Sequence, residues 1–384
     1  MSGTELATTL FATLPRSDQR RKGEEYIRGL LATKGRKSIR NMAAPVGGSA
    51  REQSLHHFVS NSTWHWMPVR RALARYVVRS ALPEAYVVHT MVIPKAGGNS
   101  VGVYRCYVPQ FGQIRGVQRA VGVWAAAQAT SVPVNWRLHI PQDWLENGIR
   151  RRQAAIPDDV REETPEESAA AALLATRDWG LPARPAVLDA RGMDVPALVR
   201  RLRSAGVPYL VRIDGVLRLA PADPARFGRG VAEALPARQI MAAAGLLRRP
   251  VVWRDHGPGH ALRTAPVATV RVRGTGRAAG PRGTDDLLLL GVGDGGRPWP
   301  AELWLTDLTE AGPVALLRLS RLLDRVERDF RDISERVGIR DYAGRSYCGW
   351  HRHTTLASAA HALAALGGMD EGRFRAEENL RQAS

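Results

Sequence analysis

The sequence predicts an α/β protein with an all-helical N-terminal region and a β-rich insertion, and three observations carry that reading. Before residue 84 apolar residues recur at helical spacing. From Ala85 the period changes to that of strands. Between residues 214 and 310 glycine, proline and arginine cut the chain into short strands, after which one long amphipathic helix begins.

The N-terminal helices follow from their apolar faces. Tyr26, Ile27, Leu30 and Leu31 share a face after the charged stretch Gln19–Lys22. A second segment, Arg36–Ala44, turns Ile39, Met42 and Ala43 inward and Arg36, Lys37 and Arg40 outward, and a break follows at Pro45, Gly47 and Gly48. Arg51–Val59 and Thr63–Ala81 supply two more helices, the last with Trp66, Val69, Leu73 and Val77 on one stripe. Residues 1–84 hold fourteen Lys or Arg against six Asp or Glu, a net charge of +8. A basic helical edge beside a short Gly-containing turn is compatible with helix-turn-helix docking in a DNA groove. The plainer reading is a helical bundle with a solvated charged face.

The core elements come next. Ala85–Ile93, Val101–Val108, Ala120–Ala127 and Val132–Ile140 read as strands. Thr164–Trp179 reads as a helix, with Thr164 as cap and Pro165 in the first turn. Pro185–Leu188, Val195–Ala205 and Val207–Ile213 form a strand, helix, strand series that implies a parallel pair. In the insertion, 214–310, strands are expected at Val251–Arg254, Val267–Val272, Leu287–Gly291 and Leu303–Thr306. A long helix, Val314–Val337, carries Leu319, Leu322, Val326, Phe330, Ile333 and Val337 on one face. The last helix is expected over Gly349–Leu366, with a polar tail at 369–384. These changes divide the chain at 1–84, 85–213, 214–310 and 311–368, in keeping with the two or three domains that 384 residues suit.

Fifty-five Lys and Arg against 37 Asp and Glu leave a formal charge of +18, which favours polyanions as partners. Only Lys22, Lys34, Lys37 and Lys95 are lysine, and arginine grips phosphate oxygens in pairs where lysine is a point charge. GC-rich coding would also enrich arginine, so charge alone leaves the partner open. Cys106 and Cys348 are the only cysteines and indicate neither a disulfide framework nor a cysteine zinc site, so a reducing cytoplasm is the simplest compartment. The first residues lack a basic segment ahead of a long apolar core, and no run approaches the ~20 apolar residues of a membrane span, so no membrane partner is expected.

Several motifs carry no chemistry. Gly291–Gly296 reads GVGDGG, but Arg297, Pro298, Trp299 and Pro300 follow in place of the helix a nucleotide phosphate requires, so a hairpin turn is expected. Gly274–Gly280 lacks the Gly-Lys-Ser/Thr ending of a phosphate loop, and neither Gly-x-Ser-x-Gly nor His-Glu-x-x-His occurs. His351 and His353 stand about 200° apart on a helix and cannot readily share one ion, so packing or phosphate contact is expected of them; His56 and His57 receive the same reading.

Three pieces carry a resemblance: VVHTMVIPKAGGNSVGV (Val87–Val103), VLDARG (Val187–Gly192), and RVERDFRDISERVGI (Arg325–Ile339) running into RDYAGRSYCGWHRHTTLASAAHA (Arg340–Ala362). With the N-terminal RRKGEEYIRGLLA segment, they resemble the insertion sequence 701 family of DDE transposases, most specifically through the GRS-x-x-GWHRH-x-TL run. The resemblance implies an RNase H-like core interrupted by the β-rich insertion, binding of double-stranded DNA ends, and three carboxylates that hold two divalent metals such as Mg²⁺. Carried onto this sequence, it assigns Asp189 and Glu327 as catalytic and metal-binding carboxylates and places His89 where family members have the first Asp, followed by Thr90. A neutral imidazole is a poor ligand for hard magnesium. On a continuous helix Ser320, Leu323, Glu327 and Ser334 would share one flank, and Ala343 stands where a later acid is common. For Glu327 the plainer role is a solvated partner of Arg328 or Arg331.

The expected DNA contacts are Arg20, Arg21, Lys22, Arg36, Lys37, Arg40, Arg345, His351 and His353. The reading is a transposase-like DNA-binding protein with weak or absent strand cleavage, a domesticated regulatory or architectural role, and a nucleoid-associated location in a bacterial cytoplasm, with homodimerisation left open. The rival is an active metal-dependent transposase in which Asp194 or Glu84 replaces the missing ligand.

Overall fold

The apolar stripes before residue 84 do fold as helices: α1 (Gly3–Phe11), α2 (Ser17–Ala32), α3 (Ile39–Ala43), α4 (Gly48–His56), a π turn at His57–Asn61, and α5 (Trp66–Ala81). The computed structural model describes residues 3–44, 48–108, 112–223, 234–255, 261–274 and 286–382. Helix α2 buries Gln19, Gly23, Tyr26, Ile27 and Leu30 at helical spacing. Helix α3 is shorter than its sequence suggests, because Ser38 caps it by accepting the Asn41 N–H at 3.1 Å while Gly35 turns the chain at φ +67. Five residues make a helix of only about 7.5 Å, little more than one turn to present to a groove. The predicted break at Pro45 and Gly47 lies outside the described residues.

From Ala85 the strands are β1 (Ala85–Pro94), β2 (Tyr104–Val108), β3 (Gln113–Ala126) and β4 (Ser131–Leu138). Helices α6 (Gln142–Glu146), α7 (Gly148–Gln153) and α8 (Pro165–Leu174) lead to β5 (Ala186–Asp189), α9 (Val195–Ser204) and β6 (Tyr209–Arg212). Thr164 opens α8 through a reciprocal capping box with Glu167. Strand β1 pairs parallel with β5, and β5 parallel with β6, as the strand, helix, strand series implies. Strand β3 runs antiparallel to both β1 and β4.

The insertion contributes β7 (Arg218–Pro221), β8 (Leu235–Pro236), α10 (Ala237–Ala243), β9 (Arg249–Arg254), β10 (Leu262–Arg273), β11 (Asp286–Val292) and β12 (Glu302–Thr306). Because β12 pairs antiparallel with β6, the insertion extends the first sheet; the result is one mostly antiparallel sheet of 12 strands. Gly291–Gly296 ends β11 and opens the connection to its antiparallel partner β12, with no helix after it. Of the glycine-rich stretch that begins at Gly274, positions 275–280 lie outside the described residues.

The long helix expected over Val314–Val337 is divided into α11 (Pro313–Ser320), α12 (Leu322–Asp329) and a π turn, Phe330–Ser334. These breaks shift the phase of the helical face. Ser320, Leu323 and Ser334 therefore lie buried, whereas Glu327 is exposed, and the four do not share a flank. The last helix, α13 (Tyr347–Gln382), continues past Leu366.

The N-terminal helices are fastened to α13. Tyr26 Oη and His353 Nδ1 lie 2.9 Å apart, and Arg352 donates to the carbonyls of Trp64 and Val59 at 2.9 and 3.1 Å. Arg70, 1 % exposed, donates to Thr355, Thr354, Asn135 and the carbonyls of Trp136 and His351. One apolar core runs from Leu6 through the sheet to Ala365.

Candidate functional site

Strand register builds the site. Val88 pairs with Leu188 in the parallel ladder, so the next residues, His89 and Asp189, stand side by side. Asp189 pairs with Arg212, Arg212 with Trp304, and His89 with Gly122 on the other side. A single row thus crosses the sheet as Gly122, His89, Asp189, Arg212 and Trp304. Helix α12 packs across β1 and β5 beside this row. Through it Glu327 comes within electrostatic reach of Asp189. Three residues distant in sequence do converge.

Their chemistry departs from a metal site. The His89 ring packs against Trp124 and Phe330, with centroids 6.3 and 5.3 Å away, and its Nδ1 is buried with no hydrogen-bond partner. Burial, with a smaller contribution from Arg340, pushes its pKa down to about 4, so it is neutral at pH 7. Asp189 is gripped by Arg191 through both oxygens, at 2.5 and 2.9 Å, and its Oδ1 also accepts the Arg191 N–H at 3.1 Å. The Glu327 carboxyl is raised above the usual range by partial burial and then by Asp324, while Arg212 and Arg331 oppose that rise and Asp189 adds to it.

Two divalent cations need several anionic oxygens facing one space. Here one ligand position is a neutral ring, one carboxylate is already paired, and the third holds its proton more tightly than usual. No group of three His, Cys, Asp or Glu among the described residues is arranged to hold a metal. The residues present do not fit a metal pair. The acids considered as substitutes have other partners: Glu84 accepts from the Gln128 N–H at 3.2 Å and from Arg318 at 3.3 Å, and Asp194 caps α9. Glu327 makes no ion pair with Arg328, which faces Asp255 at 3.7 Å.

The expected DNA contacts fall into two groups. Arg20, Arg21, Arg36, Arg40 and Arg345 are exposed and Lys22 is half-buried, so all can meet a phosphate. Arg20 folds back on the carbonyl of Leu14 at 2.8 Å, and Arg21 lies 3.9 Å from Glu25. His351 and His353 are 3 % and 1 % exposed, which corrects the phosphate-contact expectation for both. His351 stacks on Trp66, with centroids 4.7 Å apart, and approaches Arg70 at 3.1 Å; His353 uses both ring nitrogens, on Tyr26 and the Gly338 carbonyl. Lys37 is 6 % exposed, and its aliphatic stem covers Gly338.

Sequence reasoning named Arg36 and Lys37 but missed the cations that the fold gathers beside them. Lys34, Arg36 and Lys37 from the turn after α2 meet Arg331 of the π turn and Arg336 just after it around an open cleft of about 780 Å³, where the acids are Glu335 and Asp341. Nothing in local sequence joins positions 36 and 336. Arg191 and Arg212 were recoverable in part, since Arg212 follows from the parallel register once β5 and β6 are paired.

No curated protein matches the chain. A family model described as DDE superfamily endonuclease matches residues 9–279, which spans α1 to β10, including His89 and Asp189, and stops short of Glu327. The chain belongs to the DDE superfamily endonuclease family.

Proposed function

We propose that this chain is a transposase-like protein that binds double-stranded DNA without cutting it, on an RNase H-like core formed by β4, β3, β1, β5 and β6. The grip of Arg191 on Asp189 carries the proposal, because it places a fixed cation where a metal-binding carboxylate would have to be bare. The neutral His89 beside it removes a second anionic ligand. The order β4-β3-β1-β5-β6, with only β3 reversed, supports the RNase H-like core, and the insertion between β6 and α11 agrees with an insertion sequence 701-type transposase.

DNA binding rests on the exposed arginines and on the cleft between Arg36 and Arg336, where four exposed cations, with the largely buried Lys37 beneath them, face two acids. A duplex following that cleft would pass from the helical N-terminal module to the turn after α12. A domesticated regulatory or architectural role follows from binding without cleavage, and no described helix is long and apolar enough to cross a membrane.

The test compares wild type, His89→Asp and Glu327→Ala on one labelled duplex with magnesium or manganese. The expected result is a retarded, uncut duplex with wild type. Robust nicking that Glu327→Ala abolishes would establish the rival, an active transposase.

A further inference from the structure

Thr90 and His89 are neighbours in β1, so their side chains lie on opposite faces of the sheet. The face carrying Thr90 is not flat. It forms a partly enclosed pocket of about 280 Å³ bounded by Val92, Arg119, Val121, His139, the start of α8 and the loop at Arg191. Val92 pairs with Arg119 and Thr90 with Val121, so four of these residues share one patch by register.

The polar groups here are unusually short of partners. Ser168, 3 % exposed on α8, lines the pocket, and its Oγ has no hydrogen-bond partner. A buried hydroxyl left without a partner is costly, and a ligand oxygen would satisfy it. Arg119 lies over the Tyr104 ring at 5.9 Å and makes no ion pair among the described residues. The pocket's own acid, Glu163, is already neutralised by a two-point contact with Arg137, at 2.5 Å for both bonds. The His139 pKa is lowered first by burial and then by Arg119, with Glu162 and Glu163 opposing. Glu167 on α8 is held by Arg201 at 2.6 Å, so the acids of that helix end are partly compensated as well. Among the groups that line the pocket, the Arg119 guanidinium and the buried Ser168 hydroxyl stand without an ionic or hydrogen-bond partner, beside the N-terminal end of the 10-residue helix α8.

We propose that this pocket is a phosphate-ester site, with Arg119 and Ser168 Oγ binding the oxygens of one phosphate group. The arginine fork suits a tetrahedral oxyanion, and the apolar wall of Val92, Val121, Pro165 and Met193 suits a small organic substituent on the ester. A pocket of this size takes a single group and excludes a double helix. The site therefore differs from the open basic cleft in place, in size and in ligand. Arg191 lines the pocket while gripping Asp189 on the other side, so an occupant would sit beside the clamp.

The experiment titrates inorganic phosphate and phenyl phosphate into the full chain at constant ionic strength, with chloride as control, and follows heat and melting temperature. Saturable binding is expected, tighter for phenyl phosphate, weakened at least tenfold by Arg119→Met and severalfold by Ser168→Ala. Arg119→Lys should recover part of the affinity. Arg336→Met, in the other cleft, should leave it unchanged. Circular dichroism of each variant separates weakened binding from unfolding, and Ser168→Ala removes only the unpartnered hydroxyl. A 5′-phosphorylated duplex that displaces phenyl phosphate would assign the phosphate to DNA ends; failure to displace it would assign a free small ester, and both results support the site. Absence of saturable binding, or equal affinity in wild type, Arg119→Met and Ser168→Ala, would overturn it, whatever the duplex-binding result.

Discussion

Arg191 reaches Asp189 with both ends of its guanidinium fork from only two residues away, the closest contact being 2.5 Å. The pair is partly exposed, so it adds little to stability. Its weight is chemical, because it occupies the carboxylate that the neighbouring strand would need for a cation.

The first prediction follows from that pair. His89→Asp alone restores a second carboxylate but leaves Asp189 occupied, so manganese affinity by calorimetry should rise little. His89→Asp with Arg191→Ala should bind at least tenfold more tightly than either single variant. Additive effects of the two substitutions would show that the clamp does not govern the site.

Acid should unfold the protein early. Burial holds the His89, His353 and His361 rings at a pKa of about 4, against 6.5 when unfolded, and pushes His351 well below its usual value. Each folded pKa is depressed, so the unfolded chain binds more protons below pH 6.5. The stability these rings contribute is complete above that pH and falls as pH drops towards 4. His89, His353 and His361 are each worth on the order of 3 kcal/mol over that window, and together they rival the roughly 5–15 kcal/mol of a whole domain. Urea denaturation at pH 7.5, 6 and 5 should give steadily lower midpoints; constant midpoints would mean the rings are hydrated.

Arg70 is a buried cation whose partners are hydroxyls, an amide, carbonyls and the His351 Nδ1, with no carboxylate among its hydrogen bonds. Burial lowers its pKa to about 9. Arg70→Met removes the buried charge but leaves several acceptors unsatisfied, so a destabilisation of roughly 1–3 kcal/mol is expected. Arg70→Lys should be worse, since one ammonium keeps the charge and reaches fewer acceptors. The order of the two denaturation midpoints checks this.

Salt dependence locates the DNA surface. Removing one phosphate-binding side chain should flatten the plot of log affinity against log salt by about 0.9. Arg36→Ala with Arg336→Ala should flatten it by nearly two such steps. A binding-competent His351→Gln variant should leave the slope alone, because that ring is buried. An unchanged slope in the double variant would move the duplex away from the cleft.

Local pattern revealed most elements and the pairing of β5 with β6, because period and capping act over a few residues. The adjacency of His89 and Asp189 was implied only by the family resemblance, and the pairing of β1 with β5 supplied it. Local pattern did not reveal the charges that decide their chemistry. Arg212 needed register, Arg191 needed the turn after β5, and the meeting of Arg36 with Arg336 needed the whole tertiary fold. His351 and His353 misled for a related reason: a basic-looking GWHRH run is amphipathic in composition, yet α13 is surrounded, so its polar groups bond inward. The π turn at Phe330–Ser334 was invisible too, since one extra residue per turn leaves the apolar count unchanged.

The fastening of Tyr26, Trp64 and Arg70 to a helix that begins at Tyr347 has a consequence for synthesis. Chains emerge N-terminus first, so α1–α5 leave the ribosome long before the helix that completes their core. The parts of α2 and α5 that face this helix stay uncovered through translation of almost the entire sheet. Loop closure over some 300 residues also makes the final docking slow. Message truncated before codon 347 would yield chains with sheet but without this keystone, a natural substrate for chaperones and proteases.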